Sequence, residues 1–409
     1  MPRTFVVTVV WLTLAVAYGL FFSFSVFFVP LVEEFRWSRA LTAGALSFST
    51  IVQGLLSPVT GVLVDRVGPR PVVLTGAVLL ASASLLAATI QAPWQLYLYT
   101  GVLGAMGLVA LGWVPMGVLL SRWFSERRGR AVGIAFSGMG VGIFVVGPLA
   151  QWLIAQVGWR AASATLGAGA LLVLVPLVYL GARDPDANGQ RAPQLASFHA
   201  RREDADRERG PRLGPDPTLR AALRTREFWA LWAAYFFTPL AVFPVATHQV
   251  AFAIDLGFAP MLAATVFGLM GLLSSLGRPA FGIAADRFGG PLAATVSFGC
   301  TAGGALALLA LETSPGGAWL VAYAVLFGLG FGARGPIITA MASDLFGGRR
   351  FGAIYGVLNL GNGLGAAVGP WFGGAVHDAT GSYRVAFLSS VLFSALASAC
   401  FWVARRRAP

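Results

Sequence analysis

One arginine lies deep inside a long apolar block of this sequence. Arg278 comes eight residues before Asp286, about 12 Å along an α-helix, in a block that runs near 259–281. A permanent cation in hydrocarbon costs at least about 2.5 kcal/mol, and a guanidinium group does not shed its proton to escape that cost. Arg278 must therefore meet an anion, carbonyl groups or water. The carboxylate of a small substrate fits its two parallel N–H donors, and the alternatives are backbone carbonyls or a carboxylate from another helix.

A second arginine lies at a similar depth. Arg334 comes ten residues before Asp344, about 15 Å along a helix. It belongs to the glycine-rich segment Gly328–Gly335, where the composition predicts a locally opened helix. Together with Arg278 it would suit a dicarboxylate, or a carboxylate with a second anionic group. The alternatives for Arg334 are a role in gating and a purely structural role.

One histidine lies deep in an apolar block. His248 comes seven residues before Asp255, so both side chains lie on nearly one face of a helix. Histidine titrates near physiological pH, and the pair is our candidate for proton coupling, with His248 also a candidate for substrate binding. The alternative is a histidine that only makes hydrogen bonds and an aspartate that only faces water.

Uncharged side chains complete the candidate binding residues. Asn359 and Asn362 lie about one turn apart in an apolar block. In the first half of the chain we find no charge at membrane depth, and we select Tyr18, Phe22 and Trp113 to hold the apolar body of a substrate. Aromatic residues at helical spacing also pack against lipid or other helices, and that alternative stays open.

The composition excludes several classes of protein. Charged residues make up 11% of the 409 residues, hydrophobic residues make up 57%, and mean hydropathy is +0.74. A soluble domain carries roughly 25% charge, so a soluble enzyme and a disordered chain are excluded. The net charge is +12, but the arginines lie between apolar blocks, so we expect no nucleic acid as a partner. The sequence has no lysine for an ATP-binding loop, and we expect no catalytic site, no metal and no cofactor.

Apolar blocks of membrane-spanning length divide the chain. About 20 residues of helix cross a bilayer, and the twelve blocks lie near 5–29, 41–63, 71–91, 95–120, 130–156, 160–181, 228–253, 259–281, 291–311, 318–341, 351–376 and 384–403. A stretch rich in arginine, aspartate, glutamate and proline follows the sixth block. The prediction is an all-α membrane protein with a six-helix bundle at 1–182, a linker at 183–227 and a second six-helix bundle at 228–409.

The arginines also predict the orientation of the chain. Between the blocks, 23 arginines fall on the side of both chain ends and 4 fall on the other side. Positively charged loops stay in the cytoplasm. Both termini are therefore predicted to be cytoplasmic, in a multi-pass protein of the inner (plasma) membrane.

The two halves of the sequence repeat each other. Gly61–Gly68 reads GVLVDRVG, and it recurs 221 residues later at Gly282–Gly289 as GIAADRFG. The pairs Arg127-Arg128 and Gly147-Pro148 both recur at an offset of 222. An even number of crossings in each half gives the two copies the same orientation. The repeat is therefore parallel, and the substrate site is expected near the midplane between the halves.

The repeated loop resembles the signature loop of the major facilitator superfamily. Three further segments are similar to the branch that holds the oxalate–formate antiporters and the monocarboxylate porters: 121–129 (SRWFSERRG), 223–229 (LRTREFW), and Arg278-Pro279 followed by Gly282. The resemblance covers essentially the whole chain. It implies the major facilitator fold of twelve helices in two halves, and an Arg278 that binds the carboxylate of the substrate.

The resemblance also implies a gate. In the family the repeated loop serves conformational cycling, which assigns gating to Asp65, Arg66 and Arg70 and, in the second copy, to Asp286 and Arg287. A carboxylate there would pair with an arginine or a helix N-terminus in one state and release it in the other. The alternative is close packing, which the glycines of the loop allow.

These patterns together predict a secondary transporter of small organic anions. The function we expect is proton-coupled symport of a monocarboxylate such as lactate by alternating access, carried out by a monomer in the lipid bilayer. The alternatives are an exchanger of dicarboxylates and monocarboxylates of the oxalate–formate type, an exporter of apolar drug-like compounds, and a sensor that binds a carboxylate without moving it.

Overall fold

The regular structure of this protein is helical. The computed structural model describes residues 3–124, 128–181, 218–314, 316–347 and 351–405. In these ranges nine helical stretches are long and apolar enough to span a membrane, and one of them, Ala131–Gly181, holds two crossings. The broken helix Gly317–Gly330 with Arg334–Phe346 and the 30-residue helix Phe351–Thr380 add two crossings to these ten. The described residues thus cross twelve times, and the prediction of an all-α protein with twelve membrane-spanning helices is confirmed.

The first half contains six crossings. They are α1 (Arg3–Phe22 and Phe24–Phe35), α2 (Arg39–Val67), α3 (Pro69–Ala87), α4 (Pro93–Leu96, the π-helical Tyr97–Gly104, Ala105–Leu111 and Trp113–Trp123), α5 (128–157) and α6 (159–181). The last two form one continuous helical stretch, which bends at Gly158 because its φ is 79°.

The second half contains the other six crossings. They are α7 (Arg226–Asp255), α8 (Pro260–Phe288), α9 (Gly290–Ala310), α10 (Gly317–Gly330 and Arg334–Phe346), α11 (Phe351–Thr380) and α12 (Arg384–Ala404). The break in α10 at 331–333 falls where the glycine-rich composition predicts an opening. Most of the predicted linker, 183–217, lies outside the described residues, so the domain boundaries stay predictions.

Two membrane sides follow from the order of the crossings. Each crossing reverses the direction of the chain, so the turns after α2 and α8 lie on the same side as both ends. We call this side the Asp65 side, because Asp65 lies near the end of α2. The opposite side is called the Arg39 side, because Arg39 begins α2 there.

The sequence repeat is also a repeat of local structure. The helices α2 and α8 end at Gly68 and Gly289, whose φ angles are 86° and 90°. Their N–H groups donate to the carbonyl groups of Val64 at 3.0 Å and Ala285 at 2.9 Å. A positive φ favours glycine because a Cβ atom would be strained there. The two copies of the loop therefore need glycine at this position for the same reason.

Glycines also let equivalent helices approach closely in the two halves. In α5, a Cβ at Gly142 would overlap the carbonyl group of Ala15 on α1. In α11, a Cβ at Gly365 would overlap the carbonyl oxygen of Phe236 on α7. Helices in lipid associate by such close packing of small residues. The pairs α1–α5 and α7–α11 thus form the rigid centre of each half.

Gly142→Ala should lower the thermal stability of the protein in detergent, because the new Cβ forces α5 away from α1. Overpacking of this kind costs about 1–3 kcal/mol. Gly133 lies in the same helix, and a Cβ there would meet no heavy atom within 4 Å, so Gly133→Ala is the matched control. Equal melting temperatures for the two variants would contradict close packing at Gly142.

Candidate functional site

Arg278 lies on α8 at the interface between the two halves. Its NH1 donates a hydrogen bond to the backbone oxygen of Phe136 on α5 at 3.2 Å, and its charge interacts with Tyr18 on α1. The side chain is only half-buried. In the described part of the chain no carboxylate pairs with this guanidinium group. A backbone carbonyl therefore satisfies part of the cation and leaves further N–H donors for a ligand.

Aromatic rings from four helices form a connected group beside Arg278. Trp113 on α4 stacks on Phe136 with ring centroids 4.4 Å apart, and its side chain also interacts with the Tyr18 hydroxyl. Tyr18 stacks on Phe22 at 6.5 Å, and Phe22 meets Phe331 of the α10 break edge to face at 5.8 Å. Trp113 is 54% exposed, so the group borders open space. We call these five rings and Arg278 the arginine pocket.

The predicted asparagines lie on a different helix. Asn359 is exposed and Asn362 is half-buried on α11. Gly356, Asn359 and Gly363 share one face of that helix because they are three and four residues apart. A Cβ at either glycine would meet no heavy atom within 4 Å. This face of α11 is therefore open, and Asn359 lies on it.

Arg334 is directed to another part of the second half. Its side chain is 1% exposed, and NH2 donates to Thr301 Oγ1 on α9 at 2.6 Å and to the carbonyl oxygen of Gly330 at 2.5 Å. The guanidinium carbon lies 4.5 Å from the centre of the Phe298 ring, also on α9. Nε and NH1 are buried without a hydrogen-bond partner. The structure thus places Arg334 against α9 and not among the rings around Arg278.

His248 begins a chain of hydrogen bonds that leads across the halves. The ring is fully buried, with Nε2 2.9 Å from the carbonyl oxygen of Pro370 and Nδ1 3.2 Å from the hydroxyl of Tyr383. A carbonyl group only accepts, so these partners assign a proton to Nε2 and make Nδ1 the acceptor of the hydroxyl proton. Phe28 of the first half packs edge-on against the ring at 5.1 Å.

Arg39 continues this chain into the first half. Its NH1 donates to the Tyr383 hydroxyl at 2.6 Å and to Asp255 Oδ2 at 2.6 Å, and its NH2 donates to Asp255 Oδ1 at 3.0 Å. His248 and Asp255, the two predicted proton-coupling residues, are therefore joined through Tyr383 and Arg39.

A second carboxylate binds the same end of α2. The backbone N–H groups of Arg39 and Ala40 donate to Asp378 Oδ1 at 2.9 Å and Oδ2 at 2.8 Å. These amides begin the helix and have no partner within it, and the positive end of the helix dipole favours a carboxylate there. We call Arg39, Asp255, Asp378 and Tyr383 the Arg39 clamp.

Contacts between the halves continue from the clamp to the middle of the membrane. Ser275 Oγ on α8 donates to the carbonyl oxygen of Ser137 on α5 at 2.7 Å. A Cβ at Gly140 on α5 would overlap the carbonyl oxygen of Gly271 and the hydroxyl of Ser275. Close approach of α5 and α8 therefore needs a glycine at this position.

Toward the Asp65 side the same helices move apart. A Cβ at Gly54 on α2, Gly133 on α5, Gly282 on α8 or Gly356 on α11 would meet no heavy atom within 4 Å. Nearer the Arg39 side, these four helices contact each other across the halves. The structure is therefore closed on the Arg39 side and open on the Asp65 side, where the arginine pocket is accessible.

The predicted gate residues lie on the open side. Four of them are exposed at the ends of α2 and α8, namely Asp65, Arg66, Asp286 and Arg287. Arg70 is directed toward its own half, where NH2 donates to the carbonyl oxygen of Tyr179 at 2.8 Å and the guanidinium carbon lies 4.5 Å from the centre of that ring. A gating role for these five residues stays a prediction.

Sequence reasoning did not identify the residues of the clamp other than Asp255. Arg39 looked like one of the few arginines of a loop, and Asp378 and Tyr383 carry no motif. The available signal was opposite charge at the Arg39-side ends of α2, α7 and α11. These charges point to an ion pair only when the three helix ends are known to meet. The spacing of residues along the sequence does not show which helix ends meet.

Comparisons with known proteins agree with this architecture. The family described as Major Facilitator Superfamily matches residues 10–333 and 296–409. The chain is 31% identical over 380 residues to monocarboxylate transporter 13 of Bos taurus, covering 93% of this chain and 84% of that protein. It is 30% identical over 387 residues to monocarboxylate transporter 4 of Mus musculus, covering 91% of this chain and 77% of that protein.

A solved structure shows the same fold. The crystal structure of a bacterial homolog to the human lysosomal transporter Spinster, in an inward-facing and occupied conformation, matches with a TM-score of 0.68 and 16% identity, covering 98% of this chain and 96% of that one. The chain belongs to the major facilitator superfamily and is a multi-pass membrane transporter, not an enzyme. Within that superfamily its relatives are monocarboxylate transporters, which confirms the branch that the sequence motifs resemble.

Asp255→Asn should shift the protein toward a state open on the Arg39 side, because the ion pair with Arg39 exists only while the clamp is closed. An ion pair at a water-exposed position contributes up to about 1 kcal/mol, which is roughly a fivefold change in the ratio of the two states. Spin labels at positions 161 and 313 lie on the Arg39 side of the two halves. Double electron–electron resonance should show a larger population of long distances between the two labels.

Glu33→Gln is the matched control for this experiment. Glu33 is an exposed carboxylate at the same end of α1, so its replacement changes the charge of that surface but not the clamp. Distance distributions that agree between Asp255→Asn and Glu33→Gln would show that the ion pair does not hold the halves together.

Proposed function

We propose that this protein carries a small monocarboxylate across the membrane by alternating access, in symport with a proton. The observation that carries this proposal is Arg278, a cation near the middle of the membrane with no carboxylate partner in the described part of the chain. It lies in an aromatic pocket that is open to one side. The two relatives, which are monocarboxylate transporters, support the same class of substrate, and lactate is the first compound to test.

The arginine pocket supplies both parts of such a recognition site. The planar guanidinium group binds a carboxylate through two parallel N–H donors, and the Tyr18 hydroxyl is a further polar group beside it. The rings of Phe22, Trp113 and Phe331 would hold a short apolar body. Since α1 and α4 belong to one half and α8 and α10 to the other, a bound substrate touches both halves and can respond to their movement.

The position of Arg334 favours a monocarboxylate over a dicarboxylate. An exchanger of dicarboxylates would gain from a second cation beside Arg278. Arg334 is instead directed to Thr301 and Phe298 on α9. The pocket therefore offers one cation, which matches one carboxylate, and oxalate or malate serves as the test of the alternative. Asn359, on the open face of α11, is the candidate for a further polar contact.

We assign proton coupling to the hydrogen-bonded side chains that connect His248 to Asp255 through Tyr383 and Arg39. While the clamp is closed, Nδ1 of His248 accepts the hydroxyl proton of Tyr383. A proton bound at Nδ1 would remove that acceptor and add a second positive charge close to Arg39, which donates to the same hydroxyl. Protonation of His248 would therefore disfavour the closed arrangement. His248 would take up a proton while the Arg39 side is open and lose it as the clamp closes. Proton binding then depends on which side is open, as coupled transport requires.

Orientation and assembly complete the proposal. The excess of arginines on the side of both chain ends supports a cytoplasmic Asp65 side. The protein would then be a monomer of the inner (plasma) membrane, closed to the outside in this structure and open to the cytoplasm. The monocarboxylate and the proton would then both move inward when the proton gradient is directed inward.

Arg278→Lys should strongly reduce uptake of labelled lactate into proteoliposomes. Lysine keeps the charge but lacks the planar fork that binds a carboxylate through two bonds. Arg384 is exposed on the Arg39 side, and Arg384→Lys is the control for a general loss of arginine. Uptake near the wild-type rate in Arg278→Lys would rule out Arg278 as the main anchor of the substrate.

His248→Ala and Tyr383→Phe should abolish lactate accumulation driven by a pH gradient, while exchange of labelled for unlabelled lactate survives better. Exchange needs no net movement of protons, so it does not depend on the hydrogen-bonded residues between His248 and Asp255. The Tyr97 hydroxyl donates to the carbonyl oxygen of Leu41 and does not belong to the hydrogen-bonded residues between His248 and Asp255. Tyr97→Phe is therefore the matched control. Persistent accumulation in both variants, and in Asp255→Asn, would favour an exchanger.

A further inference from the structure

The break in α10 lies directly against the guanidinium group of Arg278. Gly332 has a φ of 81°, and a Cβ at this position would lie 2.8 Å from Nε and 3.2 Å from NH2 of Arg278. Two separate constraints therefore require glycine here, the backbone conformation and the space that the guanidinium group occupies.

The break is also fixed from its other side. Arg334 donates to the carbonyl oxygen of Gly330, the last residue of the first segment of α10, and to Thr301 on α9. Carbonyl groups at a helix end lack partners within the helix, and Arg334 supplies one. The backbone at Gly330 is itself close to α9, because a Cβ there would lie 2.6 Å from Thr301 Oγ1.

We propose that the break in α10 is a positioning element for Arg278, in which Gly332 leaves room for the guanidinium group and Arg334 holds the segment on α9. Neither residue contacts the substrate in this arrangement, and both act through Arg278. The effect on substrate affinity rests on the proposed function. The position of the guanidinium group itself does not.

The two neighbours of Arg278 differ in what happens when the halves move. Phe136, whose carbonyl group accepts from NH1, belongs to the first half, so this bond changes when access alternates. Gly332 belongs to the same half as Arg278, so this contact moves with the arginine. The break in α10 can therefore keep the anchor in place in both states, and an anchor held in its binding geometry loses less entropy when the substrate binds.

The first test uses the protein without substrate. Phenylglyoxal modifies arginine side chains, and peptide mass spectrometry gives the rate at Arg278 alone. Gly332→Ala should raise that rate several-fold, because the new methyl group pushes the guanidinium group into the open pocket. Gly158→Ala is the matched control, since Gly158 has a φ of 79° but a Cβ there would meet no heavy atom within 4 Å. Equal rates at Arg278 in the two variants would overturn the proposal.

The second test measures lactate transport. Gly332→Ala should raise KM in the wild-type background and have little further effect when combined with Arg278→Lys, because the two changes disturb one interaction. Additive effects would contradict the proposal. If Arg278→Lys transports normally while Gly332→Ala still speeds modification at Arg278, the proposed carboxylate site is wrong but the positioning role stands.

Arg334 is tested by replacement with an apolar side chain of similar length. In the described part of the chain no carboxylate pairs with Arg334, so its replacement leaves no unpaired buried carboxylate. Arg334→Met should therefore remain folded, while Arg278 becomes more reactive to phenylglyoxal. Arg334→Lys, which can still donate to Gly330, should restore part of the wild-type rate. An unchanged rate at Arg278 in Arg334→Met would remove Arg334 from the positioning element.

Discussion

A cation that cannot lose its proton must be solvated wherever it is placed, and inside a membrane only protein, trapped water or a ligand can do this. The two deep arginines of this transporter solve the problem differently. Arg334 is enclosed by a hydroxyl, a carbonyl group and an aromatic face of its own half. Arg278 has one carbonyl group from the opposite half and an open pocket. Arg334 is 1% exposed, whereas Arg278 is only half-buried and borders the open pocket. The accessible cation is the one suited to bind an anion, and the enclosed cation is suited to hold structure.

The interface between the halves follows from the same constraint. Contacts near the Arg39 side use ion pairs and helix-end amides, which water can replace when the clamp opens. Contacts near the middle of the membrane use glycine and serine, because small residues let helices pack closely there. The Arg39 clamp and the close approach at Gly140 thus differ in chemistry because they lie at different depths in the membrane. A carrier that must separate its halves reversibly needs weak contacts in the centre and exchangeable ones at the surface.

Much of the fold was predictable because depth and length are one-dimensional properties. Hydropathy gave the twelve crossings, the repeated loop gave the parallel halves, and counting from Asp286 placed Arg278 near the midplane. The rotation of each helix about its axis was not predictable in this way. Arg334 lies at the membrane depth expected of a binding residue, but it is on the face of its helix that packs against α9. The clamp was missed for a related reason, because Arg39 and Asp378 lie 339 positions apart and meet only after the halves pack.

Helix α1 connects the arginine pocket with the hydrogen-bonded residues that begin at His248. Phe22 belongs to the arginine pocket, and Phe28, after the bend at Ser23, packs on His248. A small cleft between the halves is lined by Phe22 on one wall and by Pro370, the acceptor of His248, on another. The two sites therefore share a helix and a cleft. In the proposed symport, a movement of α1 that closes the pocket around a substrate would also change the packing on His248, and substrate and proton would then affect each other through this helix.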